Sequence, residues 1–158
     1  MKPFDQIVTK HGAMVMRVCR SLLDPVTADD AWSDTFLAAL RAYPELRADS
    51  NIGGWLATIA YRKSIDQIRS AKREATPLAS IPEAPQAGNE PDAPDPELRR
   101  ALNDLAPKQR ITVVYRYLAD LSYSDIAALL DSTEVAARRN AADGIARLRT
   151  HYLKGTSQ

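Results

Sequence analysis

Apolar residues recur every three to four positions along most of this chain, the spacing of amphipathic helices rather than the strict alternation of strands. Phe4, Ile7, Val8, His11, Met14, Val15, Val18 and Leu22 mark one face of a first helix, which should end near Asp24 and Pro25. His11 lies on that stripe and reads as a packed or half-buried residue rather than a catalyst, because no partner for acid–base chemistry lies nearby. Thr27 and Asp30 have capping-box spacing and predict a second helix with Trp32, Phe36, Ala39, Leu40 and Tyr43 inward, closed by Pro44. A third helix is expected from about residue 52 to residue 73, with Ile52, Trp55, Leu56, Ile59 and Ala60 as its core face.

The helical pattern resumes at residue 97. Leu98, Ala101, Leu102 and Leu105 form the inner side of a short charged helix, and Pro107 suits the first position of another that runs to Leu118. The β-branched run at 111–114 would also suit a strand, but Ile111, Val114, Tyr115 and Leu118 keep the helical stripe. Residues 121–149, LSYSDIAALLDSTEVAARRNAADGIARLR, then read as two helices and a tight polar turn. Ser122 with Asp125 is a capping box that starts a helix at Tyr123, with Ile126, Ala127, Leu129 and Leu130 on its apolar face. Asp131, Ser132 and Thr133 break the pattern, and either Ser132 or Thr133 can cap the next helix, whose first turn carries Glu134. That helix presents Arg138, Arg139 and Asn140, side chains suited to phosphates and base edges. A helix-turn-helix sets its second helix in the DNA major groove, so this segment points to a DNA reader. The alternative is an ordinary helical hairpin with solvated arginines.

Between the two helical blocks, residues 76–97 hold six of the ten prolines and almost no bulky apolar residue. Such a segment cannot bury a core and is expected to be an extended, flexible linker. The fold class is therefore all-α, with two small helical domains at 1–74 and 98–158 joined by an acidic proline-rich linker at 75–97.

Net charge is +1, which at first argues against nucleic acid. Its distribution says otherwise, with +2 over residues 1–74, −5 over 75–97 and +4 over 98–158. The basic excess is modest, so tight DNA binding by the chain alone is not expected. Arg62, Asp66, Arg69 and Arg73 fall on one stripe of the third helix, joined by Lys63 and Lys72. The stripe is either a solvated face with weak Arg–Asp pairs or a positive ridge for a nucleic-acid backbone, with Trp55 and Tyr61 near it as stacking groups. Cys19 alone excludes an internal disulfide framework and suits a reducing cytoplasm, the expected location. His11 and His151 lie far apart and give no zinc cluster with Cys19, so neither metal nor cofactor is expected. No apolar run approaches a membrane span, and MKPFDQIVTK does not read as a signal peptide. No Cys/His dyad, glycine-rich phosphate loop or metal-ligand spacing supports an enzyme.

Four segments in order resemble bacterial RNA polymerase sigma factors of the extracytoplasmic-function (ECF) type. Residues 27–40, TADDAWSDTFLAAL, resemble the region 2 pattern of Ala-Glu-Asp followed by an acidic-x-Phe helix. Residues 55–73, WLATIAYRKSIDQIRSAKR, resemble its continuation, Trp-Leu-x-x-Ile-Ala and then Asp and Arg. Residues 105–110, LAPKQR, look like the start of region 4, and LSYSDIAALL is similar to the family's Leu-Ser-Tyr-x-Glu-Ile-Ala helix.

The resemblance implies a protein that is not an enzyme. It would bind the RNA polymerase core through the beta and beta-prime subunits and give it promoter specificity. Region 2 would dock on the polymerase and help melt the minus-ten element, region 4 would read the minus-thirty-five element, and the acidic linker between them would thread through the polymerase. Asp29, Asp30, Ser33 and Asp34 match the core-docking helix, while Phe36 there reads as core packing. Arg62, Lys63, Arg69, Lys72 and Arg73 would face minus-ten DNA, and Ser132, Thr133, Arg138, Arg139 and Asn140 the minus-thirty-five element. An anti-sigma partner wedged between the domains is a further expectation. The chain departs from the family pattern at Ser33, commonly Gln, and at Arg62, commonly Asn. It departs again at Asp143, usually Arg, and at Gly144, where a helical glycine costs about 1 kcal/mol relative to alanine. Two other functions fit parts of the chain: a sigma-like protein that binds polymerase or a regulator without initiating, and a stand-alone helix-turn-helix repressor.

Overall fold

The computed structural model describes residues 2–74 and 95–156, with side chains through His151; among these residues all regular structure is helical. Residues 75–94 of the expected linker lie outside the described residues. Helix α1 (Phe4–Leu22) buries Ile7, Met14, Val15, Val18 and Leu22, while His11 sits half-exposed at the edge of the stripe. Helix α2 (Pro25–Ala42) begins earlier than Thr27 because Asp24 is the cap. Its carboxylate accepts from the Thr27 backbone N–H at 2.9 Å and the Thr27 hydroxyl at 2.8 Å. Pro25 then occupies the first helical position, where its missing N–H leaves nothing unsatisfied.

Burial pushes the Asp24 carboxyl upward, but the bonds from Thr27, the charge of Arg99 and the Val26 N–H outweigh it and hold the group below the usual carboxylate range. A depressed folded-state pKa stabilises the fold above the unfolded value of about 3.9, and that contribution is lost as pH falls through the folded value. Asp24→Ala should therefore cost about 1 kcal/mol at neutral pH. Urea unfolding should show the parent losing more stability than the variant on acidification below about pH 4. An equal loss in both would remove Asp24 from the acid response.

The inner face of α2 is Ala28, Ala31, Thr35, Phe36 and Ala39, and Phe36 packs as expected. Leu40 does not: it lies one position past Ala39, about 100° further round the helix, and is 50% exposed. After a 3-10 turn at Tyr43–Glu45, helix α3 (Ile52–Glu74) opens with Asn51 accepting from the Gly54 N–H at 3.0 Å. Phe4, Trp32, Phe36 and Tyr43 form an aromatic corner over this three-helix domain, and the Trp32 indole N–H donates to the Gly12 carbonyl at 2.9 Å. Trp55 joins the corner through Tyr43, at 6.5 Å between ring centroids.

The C-terminal domain comprises α4 (Pro96–Asp104), α5 (Pro107–Val113), α6 (Tyr123–Leu129) and α7 (Glu134–Thr156). Helix α4 starts at Pro96 under an Asp95 cap, within the residues expected to end the linker. The helix expected to continue to Leu118 widens after Val113 into a π turn, Val114–Leu118, in which the Ala119 N–H reaches back to the Val114 carbonyl at 3.0 Å. Helices α5 and α7 cross closely at Gly144, where an added Cβ would lie 2.6 Å from Val113 Cγ2.

The two domains pack against each other. Helix α1 contacts α2 and α3 on one side and α4 and the π turn on the other, and α3 meets α6. One apolar cluster runs from Val15, Val18 and Leu22 into Leu102, Leu105, Val114 and Tyr115. Among the described residues, hydrogen bonds tie the two domains together at several points. Arg110 Nε donates to Tyr61 Oη at 2.9 Å, and the Thr58 and Tyr115 hydroxyls pair at 3.0 Å. Asn103 Nδ2 donates to the Leu22 carbonyl and Arg17 Nε to the Leu118 carbonyl, each at 3.2 Å. Tyr61 is thus 8% exposed and tied into this boundary, so it is unavailable as a stacking group beside the basic ridge. Burial raises the Tyr115 hydroxyl pKa, opposed by the Thr58 bond and the charge of Arg62.

Candidate nucleic-acid interface

Three polar faces and a groove between the domains stand out on the surface of the described residues. The first runs along α2. Asp29, Asp30, Ser33 and Asp34 are all exposed, and Val26, Leu37 and Leu40 stand beside them at 71%, 53% and 50% exposure. Positions 26, 30, 33, 37 and 40 follow helical spacing, so acids and unburied apolar side chains share one stripe. Spacing alone could have revealed the apolar half, since Leu37 falls four residues after Ser33.

The second face is the far half of α3. Arg62, Arg69, Lys72 and Arg73 are exposed and Lys63 half-exposed. Among the described residues no ion pair links Asp66 to Arg62 or Arg69, so the weak intrahelical pairs of the solvated-face alternative do not form. Trp55 is half-buried at the opposite end of the helix and does not join the ridge.

The third face belongs to the helix-turn-helix. Ser122 accepts from the Asp125 N–H at 3.0 Å and starts α6. Asp131 takes a left-handed conformation (φ 51°), which a short polar side chain tolerates, and turns the chain. Thr133 is the residue that caps α7, accepting from the Ala136 N–H at 3.0 Å, while the Ser132 N–H bonds the Ala127 carbonyl at 2.8 Å. Helix α7 buries Ala137, Ala141, Gly144 and Leu148. That places Ser132, Thr133, Arg138 and Arg139 outward and leaves Asn140 half-buried on the flank. Leu129 leaves the apolar face expected for it and is 38% exposed beside Gly54 of the other domain.

The sequence patterns place Tyr123 at the start of a helix but give no sign of its contact with two arginines. The guanidinium carbons of Arg116 and Arg138 lie 4.4 and 4.6 Å from its ring centroid.

A groove of about 1250 Å³ opens between the domains, lined in part by Lys10, His11, Arg17, Arg47, Asp120 and Asp125. Burial lowers the His11 pKa, with help from the charges of Lys10 and Lys2. Cys19 is fully buried, and burial pushes its thiol up to about 11, so it is not a reactive group. Among the described residues no three His, Cys, Asp or Glu side chains converge on a metal position. No helix among them is long and apolar enough to cross a membrane.

Comparison with known proteins places these faces in a family. A Sigma-70 region 2 model matches residues 7–74 and a Sigma-70 region 4 model matches residues 96–148. The ECF RNA polymerase sigma factor SigM of Mycobacterium tuberculosis is 31% identical over 148 residues, covering 92% of this chain and 74% of SigM. The RNA polymerase sigma factor CarQ of Myxococcus xanthus is 29% identical over 151 residues, covering 92% of this chain and 87% of CarQ. In fold, the chain matches the sigma factor RpoE of Bartonella quintana, solved with the anti-sigma factor NepR, at a TM-score of 0.72, 22% identity and full coverage of both chains. It matches CnrH, solved with the cytosolic domain of CnrY, at a TM-score of 0.72 and 23% identity, covering 98% of this chain and 89% of CnrH. The region 2 and region 4 matches, in that order, and the extent of the likeness to SigM show that this chain belongs to the ECF RNA polymerase sigma factors and acts in transcription initiation.

Proposed function

We propose that the chain is a non-enzymatic, cytoplasmic initiation factor that docks on the RNA polymerase core through α2, holds minus-ten DNA along α3 and reads the minus-thirty-five element with α7. The observation that carries this assignment is the solvent-facing pair Arg138 and Arg139 on a capped recognition helix, one domain away from the unpaired Arg62 and Arg69. Ser132 and Thr133 lie at the N-terminal end of α7, where phosphate is favoured, and Asn140 contributes from the flank. Lys63, Lys72 and Arg73 extend the α3 ridge. On α2, Asp29, Asp30, Ser33 and Asp34 supply charge and polarity for a basic polymerase surface, and Leu37 supplies the apolar contact an interface centre needs.

Two-point promoter binding requires the domains to separate. Elements centred at minus ten and minus thirty-five lie about 85 Å apart on B-form DNA at 3.4 Å per base pair. A packed chain of this length is only about 40 Å across. The 20 residues between Glu74 and Asp95 can span up to about 70 Å, enough for α3 and α7 to reach both elements. The groove between the domains, with cations on the α1 side and Asp120 and Asp125 opposite, is the place for an anti-sigma segment that keeps them together.

Purified core polymerase with this chain should initiate from a defined promoter set in a genome-wide run-off assay. Core binding without any initiation would favour a sigma-like interaction protein instead, and tight specific DNA binding without polymerase would favour a repressor.

A further inference from the structure

Tyr123 brings together three elements of the helix-turn-helix domain. It is the first residue of α6, Arg116 comes from the π turn, and Arg138 comes from the exposed face of α7. Both guanidinium groups sit over its ring, at 4.4 and 4.6 Å from the centroid. Arg116 is fixed at a second point, where Nη1 donates to the Leu121 carbonyl at 3.1 Å. Arg138 has no hydrogen bond or ion pair among the described residues, so the ring is its one tether.

A guanidinium stacked flat on an aromatic ring is held by its face. The five N–H donors lie in the plane of the group and stay free at its edge. Those donors make the bidentate contact to O6 and N7 of guanine in the major groove. An unrestrained arginine samples many rotamers and must be ordered when it binds; one lying on a fixed ring is ordered in advance.

We propose that Tyr123 is a positioning residue for promoter readout, holding the Arg138 guanidinium by its face so that its N–H edge meets a guanine of the upstream element. The proposal rests on the assignment of α7 as the minus-thirty-five reader. Helix α6 does not need the ring in order to form, because Ser122 caps it and Ile126 and Ala127 anchor it. The ring does touch the core, so the test has to separate packing from aim.

Holoenzyme reconstituted from the full chain and core polymerase is used to select an upstream element from duplexes randomised in that region. Each guanine of the selected element is then replaced singly by 7-deazaguanine, which removes the N7 acceptor. One such replacement should weaken binding by wild-type holoenzyme about tenfold and binding by the Arg138→Ala holoenzyme hardly at all. Tyr123→Phe keeps the ring and should keep the tenfold penalty at that guanine. Tyr123→Met and Tyr123→Leu keep apolar bulk against the core but offer no ring; with both, the penalty should shrink to about twofold while the salt dependence set by phosphate contacts stays unchanged. Methionine fills irregular space readily, so it serves if the leucine variant folds poorly. A full penalty in Tyr123→Met or Tyr123→Leu, or a lost penalty in Tyr123→Phe, overturns the positioning role. If Arg138→Ala leaves every guanine penalty intact, the assignment of Arg138 as a base reader fails first, and the role of Tyr123 falls with it.

Discussion

Oxidising a Gly54→Cys, Leu129→Cys variant is expected to abolish promoter-directed transcription, and adding reductant to restore it. A Cβ on Gly54 would lie 3.1 Å from Leu129 Cδ1, so the two β-carbons of the pair would be at most about 6 Å apart, within reach of a disulfide after a small shift. Residue 129 is 38% exposed, and shortening it removes the nearest of the atoms that would crowd the new side chain at 54, leaving the Asn51 side chain at 3.3 Å to shift slightly. Cys19 should not compete, because its thiol is fully buried and held protonated. The bridge joins α3 to α6 and pins the domains in the packed arrangement, in which α3 and α7 cannot reach sites about 85 Å apart. Run-off transcription before and after reduction, with each single-cysteine variant beside it, measures the effect. Undiminished initiation by the fully oxidised chain would show that the domains need not separate.

Gly144→Ala should lower stability by about 1–2 kcal/mol even though alanine is the better helix former by about 1 kcal/mol. The new methyl would stand 2.6 Å from Val113 Cγ2, and a β-branched side chain in a helix cannot rotate away. Backbone must move instead, opening the α5–α7 crossing that sets the recognition helix against the domain. Val113→Ala removes the obstructing methyl, so the double variant should be more stable than the sum of the two single changes implies. Thermal unfolding of the four proteins gives the coupling directly. A Gly144→Ala variant at least as stable as the parent would mean that the crossing has slack.

Most of the helices could be read from the sequence because each carries a single apolar stripe, which periodicity detects. Their ends were less accessible. Asp24 and Thr27 both suit a cap, and only the bonds formed show that the aspartate serves, with Pro25 fixing the first turn. Gly144 looked like a helix penalty, because propensity is local and the close pass of Val113 is not. Tyr61 looked like a partner for nucleic acid, whereas its hydroxyl accepts from Arg110 in the other domain. Packing between the domains left no mark in the sequence, since a buried tyrosine in a domain core and one in an interface have the same local pattern. Of the candidate site, the outward position of the α2 acids, the α3 cations and the α7 arginines followed from helical phase alone. The Arg116–Tyr123–Arg138 cluster did not, because its members are brought together by the turn geometry of three elements.

The hydrogen bonds and shared apolar cluster between the domains also bear on how this factor competes with others for a limited pool of polymerase. If separating the domains costs about 2 kcal/mol, roughly one molecule in thirty is ready to engage, and apparent affinity for the core falls by the same factor. A substitution at Tyr115 or Arg110 would then change the share of polymerase this factor commands without altering a single atom that touches polymerase or promoter.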